Sequence, residues 1–208
     1  MSKERASKIK ILLLDVDGVM TDGTIFLFPA PAGAQSTVAE ATRGKADDGG
    51  FGIASEGYLE AKGFNAHDGT GFSLAKLGGL KTGIVTKRIS ETVRLRARDL
   101  KVDHVYQGQH DKLTAFNEIL KKEGLTADQA AFVGDDIIDL PPMRAAGLAI
   151  AVANAREEVK DEAHVVTDRM GGHGAVRDAV EYILKAQGSF DRVLEAYIGQ
   201  RSPARPAK

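Results

Sequence analysis

The stretch that decides the fold is residues 9–23, IKILLLDVDGVMTDG. Its first part, residues 9–15, is a dense apolar run that ends at a carboxylate, which is typical of a strand buried on both faces of a parallel sheet. Gly18 comes directly after Asp17 and lets the chain turn sharply there. Because Asp15 and Asp17 are two residues apart in extended backbone, we expect their side chains to point to the same side.

Two carboxylates this close repel each other unless a cation or a shared proton compensates. A hard divalent ion such as Mg²⁺, held by few carboxylates together with waters and a substrate phosphate, meets that need. The alternative is that Asp15 and Asp17 only shape and cap the turn. A calcium EF-hand loop does not fit, because Val19 and Met20 stand where an acidic residue and a glycine are required.

After residue 64, short β-rich runs alternate regularly with helical segments. Strands are predicted at residues 81–86, 103–106, 130–134, 148–152 and 164–167. Helices are predicted at residues 70–78, 90–100, 111–123, 140–146, 175–187 and 189–198, two of them with the N-caps Ser90 and Asp111. The alternation predicts an α/β, Rossmann-like parallel sheet with helices on both faces. In such sheets, ligands bind beyond the carboxyl ends of the strands.

An insertion at about residues 24–64 interrupts this alternation. Residues 24–28 and 58–64 have the character of two hairpin strands, and residues 29–57 between them show no periodicity. We therefore expect one domain over residues 1–208, with a small β-hairpin in place of a large cap. A flexible tail is expected at about residues 199–208.

The composition excludes several classes of protein. The 208 residues include 28 Lys and Arg against 29 Asp and Glu, so no basic excess favours nucleic acid or an anionic membrane. Cysteine is absent, which excludes disulfides, thiolate zinc sites and thiol catalysis. The first apolar run, residues 11–14, is too short for a signal segment or a membrane span. A cytoplasmic protein with no nucleic-acid or membrane partner is expected.

Polar residues also follow the later strands. Thr86 ends one strand, and Arg88 after it is either an anion donor or one half of a structural ion pair. Lys112 lies in the first turn of a predicted helix, where the helix dipole favours acids, which favours a functional residue, with a solvated surface lysine as the alternative. Asp135 and Asp139 follow the strand at residues 130–134 and are expected to converge with the first carboxylates on one metal. For Asp139, a plain N-cap is the favoured interpretation.

Together these residues resemble the four motifs of the haloacid dehalogenase superfamily of phosphotransferases, in the order DVDG, Thr86, Lys112 and GDDIID. The stretches FNAHDGTG, YQGQHDK and GGHGAVRDAV are similar to the 3-deoxy-D-manno-octulosonate 8-phosphate (KDO 8-phosphate) phosphatase family. The resemblance covers most of residues 9–187. It implies a homotetramer in which one subunit's hairpin helps close the next subunit's site. It also implies release of phosphate from an eight-carbon keto sugar acid phosphate, a step towards lipopolysaccharide.

The resemblance implies a role for each matching residue. Asp15 would be the nucleophile and a Mg²⁺ ligand. Asp17 would be general acid and base, with its backbone carbonyl on Mg²⁺, and Asp135 would be the third ligand with Asp136 beside it. Thr86 and Lys112 would hold the phosphoryl oxygens. Substrate contacts are implied for Asp17, Asn65, Ala66, His67, Asp68, Gly69, Arg88, Arg96 and Lys112.

Three departures from the family pattern leave open which sugar acid phosphate is the substrate. His67 stands where arginine is more frequent, Lys87 stands where glycine is common, and the segment at residues 29–57 is longer than usual. A phosphatase of nine-carbon keto acid phosphates, related to sialic acid, is therefore an alternative. A phospho-acceptor signalling module is another, but its acceptor lies on the third strand, and here the strand near residues 103–106 ends without a carboxylate. A catalytically silent oligomerisation domain is the third.

Overall fold

The computed structural model describes residues 2–29 and 58–200. Its strands are β1 (Ile11–Leu14), β2 (Phe26–Pro29), β3 (Tyr58–Ala61), β4 (Lys81–Val85), β5 (His104–Tyr106), β6 (Ala130–Gly134), β7 (Leu148–Ala151) and β8 (Val165–Val166). Its helices are α1 (Ser2–Ser7), α2 (Ala66–Leu77), α3 (Glu91–Leu100), α4 (Lys112–Glu123), α5 (Leu140–Ala145), α6 (Glu157–Glu162), α7 (Ala175–Ala186) and α8 (Phe190–Gly199). Short 3₁₀ turns lie at Ala127–Gln129 and Ile137–Asp139.

Six parallel strands form one sheet in the order β5-β4-β1-β6-β7-β8. This confirms the predicted α/β class. Counted along the chain without the hairpin, the order is 3-2-1-4-5-6, the Rossmann order, and not the 2-1-3-4-5 order of flavodoxin-like receiver modules. The central strand β1 is buried throughout, and Leu14 pairs with Ile84 of β4 and with Val133 of β6. The carboxyl ends of these three strands are therefore level.

The helices form two groups that cover the sheet. One group contains α1, α2, α3, α7 and α8, and the other contains α4, α5 and α6. Phe116 of α4 meets Phe132 of β6 edge to face, with ring centroids 6.5 Å apart, and both rings are fully buried. In the other group Gly71 of α2 is needed for packing, because a Cβ there would lie 2.9 Å from the backbone of Arg177 in α7.

The predicted hairpin is present, with strands β2 and β3 antiparallel and Phe26 paired with Ala61. Its strands are shorter than predicted, and residues 30–57 and 201–208 of the predicted loop and tail lie outside the described residues. Three large apolar side chains of β2 are about half exposed: Phe26 (49%), Leu27 (46%) and Phe28 (52%). Within the part of the chain described, no helix has both the length and the apolar character needed to cross a membrane.

Two helices were not predicted, and one boundary was wrong. Helices α1 and α6 are six residues long and bury one side chain each, Ala6 and Val159, so they carry no amphipathic pattern. Helix α2 begins at Ala66, not at residue 70, because Asn65 caps it by accepting the N–H of His67 at 2.8 Å. The glycines in its first two turns conceal that start in the sequence.

Candidate active site

The carboxylates that follow β1 and β6 meet at one edge of the sheet. Asp15 directly follows β1 and Asp135 directly follows β6, and the level ends of these paired strands place them side by side. One oxygen from each of Asp15, Asp135 and Asp139 lies within 4.8 Å of the others. This confirms the prediction that acids from two separate strands converge.

Lys112 is the cation of this cluster and not a surface residue. Its side chain is 1% exposed, and Nζ lies 2.9 Å from Oδ1 of Asp15 and 2.7 Å from Oδ1 of Asp139. Lysine in the first turn of α4 opposes the helix dipole, and two buried carboxylates compensate. The residue that departs from helix preference therefore lies within the acidic cluster.

The interpretation of Asp139 as a plain N-cap was wrong. It stands at the N-cap of α5, but its carboxylate makes no capping hydrogen bond to that helix. Instead Oδ2 accepts the N–H groups of Asp135 at 3.1 Å and Asp136 at 3.4 Å. Gly134 makes room for this, since a Cβ there would lie 2.4 Å from Cβ of Asp139. Asp139 thus anchors the loop that carries Asp135, while the exposed Asp136 accepts the N–H of Ile137.

The cluster has an excess of buried negative charge. Burial raises the pKa of Asp15 to about 7, although the nearby Lys112 lowers it in part. Burial, followed by the charges of Asp15 and Asp139, raises the pKa of Asp135 to about 8. Oδ1 of Asp135 is buried and has no hydrogen-bond partner among the residues that the structure describes. An orphaned carboxylate oxygen beside two further carboxylates fits a hard divalent cation such as Mg²⁺.

Asp17 turns its carboxylate away from this cluster. Its Oδ1 accepts a hydrogen bond from Nζ of Lys62, and its Oδ2 lies 3.6 Å from Nε of Arg88. Arg88 also donates to Glu60 at 3.0 Å, so it forms the ion pair that was one of its two interpretations. The buried Thr86 follows β4, on the side of β1 opposite to Asp135.

The predicted substrate loop starts helix α2. Besides capping the helix, Asn65 donates to the carbonyl of Gly172 at 3.2 Å, and His67 is exposed. The carboxylate of Asp68 is buried and accepts the N–H of Arg177 at 3.1 Å, so it faces the start of α7.

A cavity of about 660 Å³ lies between α2, α3 and α8. Ala66, Gly69 and Arg96 are among the residues that line it. The Arg96 guanidinium lies over the ring of Phe64, 5.8 Å from its centroid, and pairs with Asp99 at 2.8 Å. The structure therefore places two of the predicted loop residues, Ala66 and Gly69, with Arg96 around this cavity, and Asn65, His67 and Asp68 lie outside its lining.

Several residues near the site were not singled out from the sequence. Asn154 bridges two loops, because it donates to the carbonyl of Gly18 at 3.2 Å and accepts the N–H of Gly171 at 2.6 Å. A Cβ on Gly171 would lie 1.7 Å from the carbonyl oxygen of Gly18. The GGHG stretch gave a signal for this contact, whereas Glu60 in β3 and Lys62 just after it gave none.

The comparisons with known proteins agree with this geometry. The sequence model of the haloacid dehalogenase-like hydrolases matches residues 85–178. The 3-deoxy-D-manno-octulosonate 8-phosphate phosphatase of Escherichia coli K12 is 36% identical over 187 residues, which cover 90% of this chain and 85% of that protein. The corresponding phosphatase of Yersinia pestis is 36% identical over 188 residues, 90% of this chain and 86% of that protein.

Solved structures give the same result. The Moraxella catarrhalis KDO 8-phosphate phosphatase, in complex with magnesium, phosphate and KDO, has a TM-score of 0.78 and 35% identity, and covers 94% of this chain and 97% of that chain. The cobalt-bound phosphatase of Haemophilus influenzae has a TM-score of 0.75 and 30% identity, with 95% and 99% covered. The chain belongs to the 3-deoxy-D-manno-octulosonate 8-phosphate phosphatase family of haloacid dehalogenase-like hydrolases.

Proposed function

We propose that this protein hydrolyses KDO 8-phosphate to the free sugar acid and phosphate, a step in the synthesis of lipopolysaccharide precursors. The observation that carries the proposal is the convergence of Asp15, Asp135 and Asp139 around Lys112 at the ends of two neighbouring strands. The family relatives favour the eight-carbon substrate over a nine-carbon keto acid phosphate. The Rossmann strand order speaks against the phospho-acceptor alternative.

In this proposal Asp15 is the nucleophile. A carboxylate oxygen of Asp15 attacks phosphorus, the bond from phosphorus to the sugar oxygen breaks, and Asp17 gives that oxygen a proton. Asp17 then takes a proton from a water molecule, which attacks the aspartyl-phosphate. Phosphate leaves and the Asp15 carboxylate is restored. Lys112 and Thr86 hold the phosphoryl oxygens and offset the charge that spreads over them in the transition state.

Mg²⁺ is the cofactor that this donor set supports. The carboxylates of Asp15 and Asp135 would hold it, together with the backbone carbonyl of Asp17, whose own carboxylate is engaged elsewhere. When bound, the ion supplies Lewis-acid stabilisation of the phosphoryl oxygens and relieves the repulsion among the buried acids.

Recognition of the sugar acid falls to the loop at residues 65–69 and to two arginines. Arg88 lies beside Asp17, and Arg96 lines the cavity between α2, α3 and α8. A guanidinium offers a planar pair of donors that suits the carboxylate of a keto sugar acid. His67, in place of arginine, would offer an imidazole ring nitrogen instead of a guanidinium.

A homotetramer, in which one subunit's hairpin closes the next subunit's site, is part of the proposal. The half-exposed Phe26, Leu27 and Phe28 support it, because exposed apolar side chains on a two-stranded hairpin favour burial against another copy. The cytoplasmic location and the single-domain organisation over residues 1–208 stay predictions.

The test is a phosphate-release screen with Mg²⁺ across eight- and nine-carbon keto acid phosphates and common hexose phosphates. We expect KDO 8-phosphate to give the highest kcat/KM, and Asp15→Asn to abolish release. Comparable rates on every ester would contradict the substrate assignment, and robust turnover by Asp15→Asn would contradict the nucleophile.

A further inference from the structure

Lys62 is a buried lysine that lies in the linker between the hairpin and the substrate loop. Its side chain is 0% exposed, and its Nζ donates to Oδ1 of Asp17. Among the described residues, the next acid is Glu60, whose Oε1 lies 3.7 Å from Nζ. A buried ammonium group is costly unless it is paired, so the Asp17 carboxylate is its main compensation.

The two carboxylate oxygens of Asp17 lie close to cations from different parts of the chain. Lys62, just past β3, holds Oδ1, and Arg88, after β4, lies 3.6 Å from Oδ2. The Asp17 side chain keeps 21% of its surface exposed, so one edge of the carboxylate stays open. Since Lys62 engages Oδ1, Oδ2 is the oxygen left to exchange a proton with a substrate or a water molecule.

Glu60 completes a balanced set of two cations and two anions. It accepts hydrogen bonds from Arg88 at 3.0 Å and from the Ser90 hydroxyl at 2.6 Å. Burial alone would raise the pKa of Glu60, but these hydrogen bonds lower it, which keeps the carboxylate charged between the two cations. The backbone carbonyl of Glu60 also accepts from the Thr92 hydroxyl at 3.2 Å. Hydrogen bonds of Glu60 to Ser90 and Thr92 thus hold the hairpin at the start of α3, while the hydrogen bond of Lys62 goes to Asp17.

We infer that Lys62 is a positioning residue for Asp17: it fixes the rotamer of the carboxylate that protonates the leaving sugar oxygen and then activates water. This inference rests on the proposed function and adds to it a residue that no motif marks. It also gives the hairpin a part in the chemistry of its own subunit, because the strand that ends at Ala61 delivers Lys62 to Asp17.

The test compares esters that differ in their need for a general acid. An alkyl phosphate such as KDO 8-phosphate needs a proton on its leaving oxygen, whereas p-nitrophenyl phosphate releases a stable phenolate without one. Because kcat/KM covers binding and the chemical steps through the first product release, it includes the acid step and leaves out the later hydrolysis of the aspartyl-phosphate. We expect Lys62→Met to lower kcat/KM for the sugar phosphate about 10- to 100-fold, as a misplaced catalytic group does. For the aryl ester the loss should stay within about threefold.

Three further variants complete the design. Lys62→Arg keeps a buried cation and should recover most of the kcat/KM that Lys62→Met loses on the sugar phosphate. Lys62→Gln keeps a hydrogen-bond donor without the charge. It replaces Lys62→Met if that variant does not fold. Lys81→Met removes an exposed lysine that pairs with Asp103 and should leave both rates unchanged. Thermal unfolding confirms that each variant is folded.

Equal losses on both esters, or no loss on either, would overturn the role of Lys62. A wild-type protein inactive on KDO 8-phosphate but active on another alkyl phosphate would overturn only the substrate assignment. In that case the same comparison is made with the alkyl phosphate that it accepts.

Discussion

The amine of Lys112 donates a 2.7 Å hydrogen bond to the carboxylate of Asp139, and the two side chains are 1% and 0% exposed. The same amine lies 2.9 Å from Asp15, so one buried cation links the proposed nucleophile to the residue that anchors the Asp135 loop. The position of the Asp15 carboxylate and the stability of the loop that carries Asp135 therefore both depend on Lys112.

Replacing Lys112 by methionine should cost both stability and activity. The substitution leaves the buried carboxylates of Asp15 and Asp139 without their cation, so we expect the free energy of unfolding to fall by about 3–5 kcal/mol. Phosphate release should fall at least about 100-fold, because a donor to the phosphoryl oxygens is lost. Urea denaturation and steady-state assays measure the two effects. Lys160→Met, which removes an exposed pair with Glu157, is the control and should cost less than about 1 kcal/mol. Equal effects of the two substitutions would contradict the account.

Metal-free protein should lose stability as the pH rises. The pKa values of Asp15 and Asp135, about 7 and about 8, lie above the ordinary value of 3.8, so the folded state holds protons that the unfolded state releases. Stability then declines from about pH 4 to about pH 8. Since Mg²⁺ competes with these protons, it should raise the melting temperature more at pH 8 than at pH 5.5. A stabilisation by Mg²⁺ that does not depend on pH would argue against ligation by these acids.

Gly171→Ala should damage the site through the backbone. The new Cβ would lie 1.7 Å from the carbonyl oxygen of Gly18, in the turn that follows Asp17, and backbone cannot yield as a flexible side chain can. We expect a loss of about 2–4 kcal/mol in unfolding free energy and a clear drop in kcat. Gly199→Ala, where a Cβ meets nothing within 4 Å, should be close to neutral. If both variants behave like the wild type, the GGHG loop does not hold the turn.

Charged residues on the hairpin should dissociate the proposed tetramer. Phe26→Asp combined with Phe28→Asp places carboxylates on a face whose burial the tetramer requires, so we expect smaller species in light scattering coupled to gel filtration. Val166→Asp, at an apolar residue of β8 that is 43% exposed, is the control. An unchanged molar mass in the double variant would place the interface elsewhere.

Much of the fold was predictable because its signals are local. The buried runs that form β1, β4, β6 and β7 are short apolar segments, and the caps Ser90 and Asp111 mark helix starts that the structure confirms. The early start of α2 and the two six-residue helices depend on tertiary contacts. No periodic pattern in the sequence encodes those contacts.

In the site, too, the features with local signals were predictable, and those that depend on tertiary contacts were not. The convergence of Asp15 with Asp135 was predictable, since parallel strands place their carboxyl ends together. Asp139 was misread because an acid before a helix is an ordinary cap, and only the packing of Gly134 against it shows its other role. Lys62 could not be found, because its significance arises across 45 residues of chain, in a contact with Asp17.

The most direct test of the central claim is a crystal structure of the protein with Mg²⁺ and beryllium fluoride, which mimics a phosphoryl group on a carboxylate. We predict one octahedral ion with carboxylate oxygens of Asp15 and Asp135 at about 2.1 Å, and beryllium bonded to a carboxylate oxygen of Asp15. An adduct on any other residue, or an ion that does not contact both acids, would contradict the account.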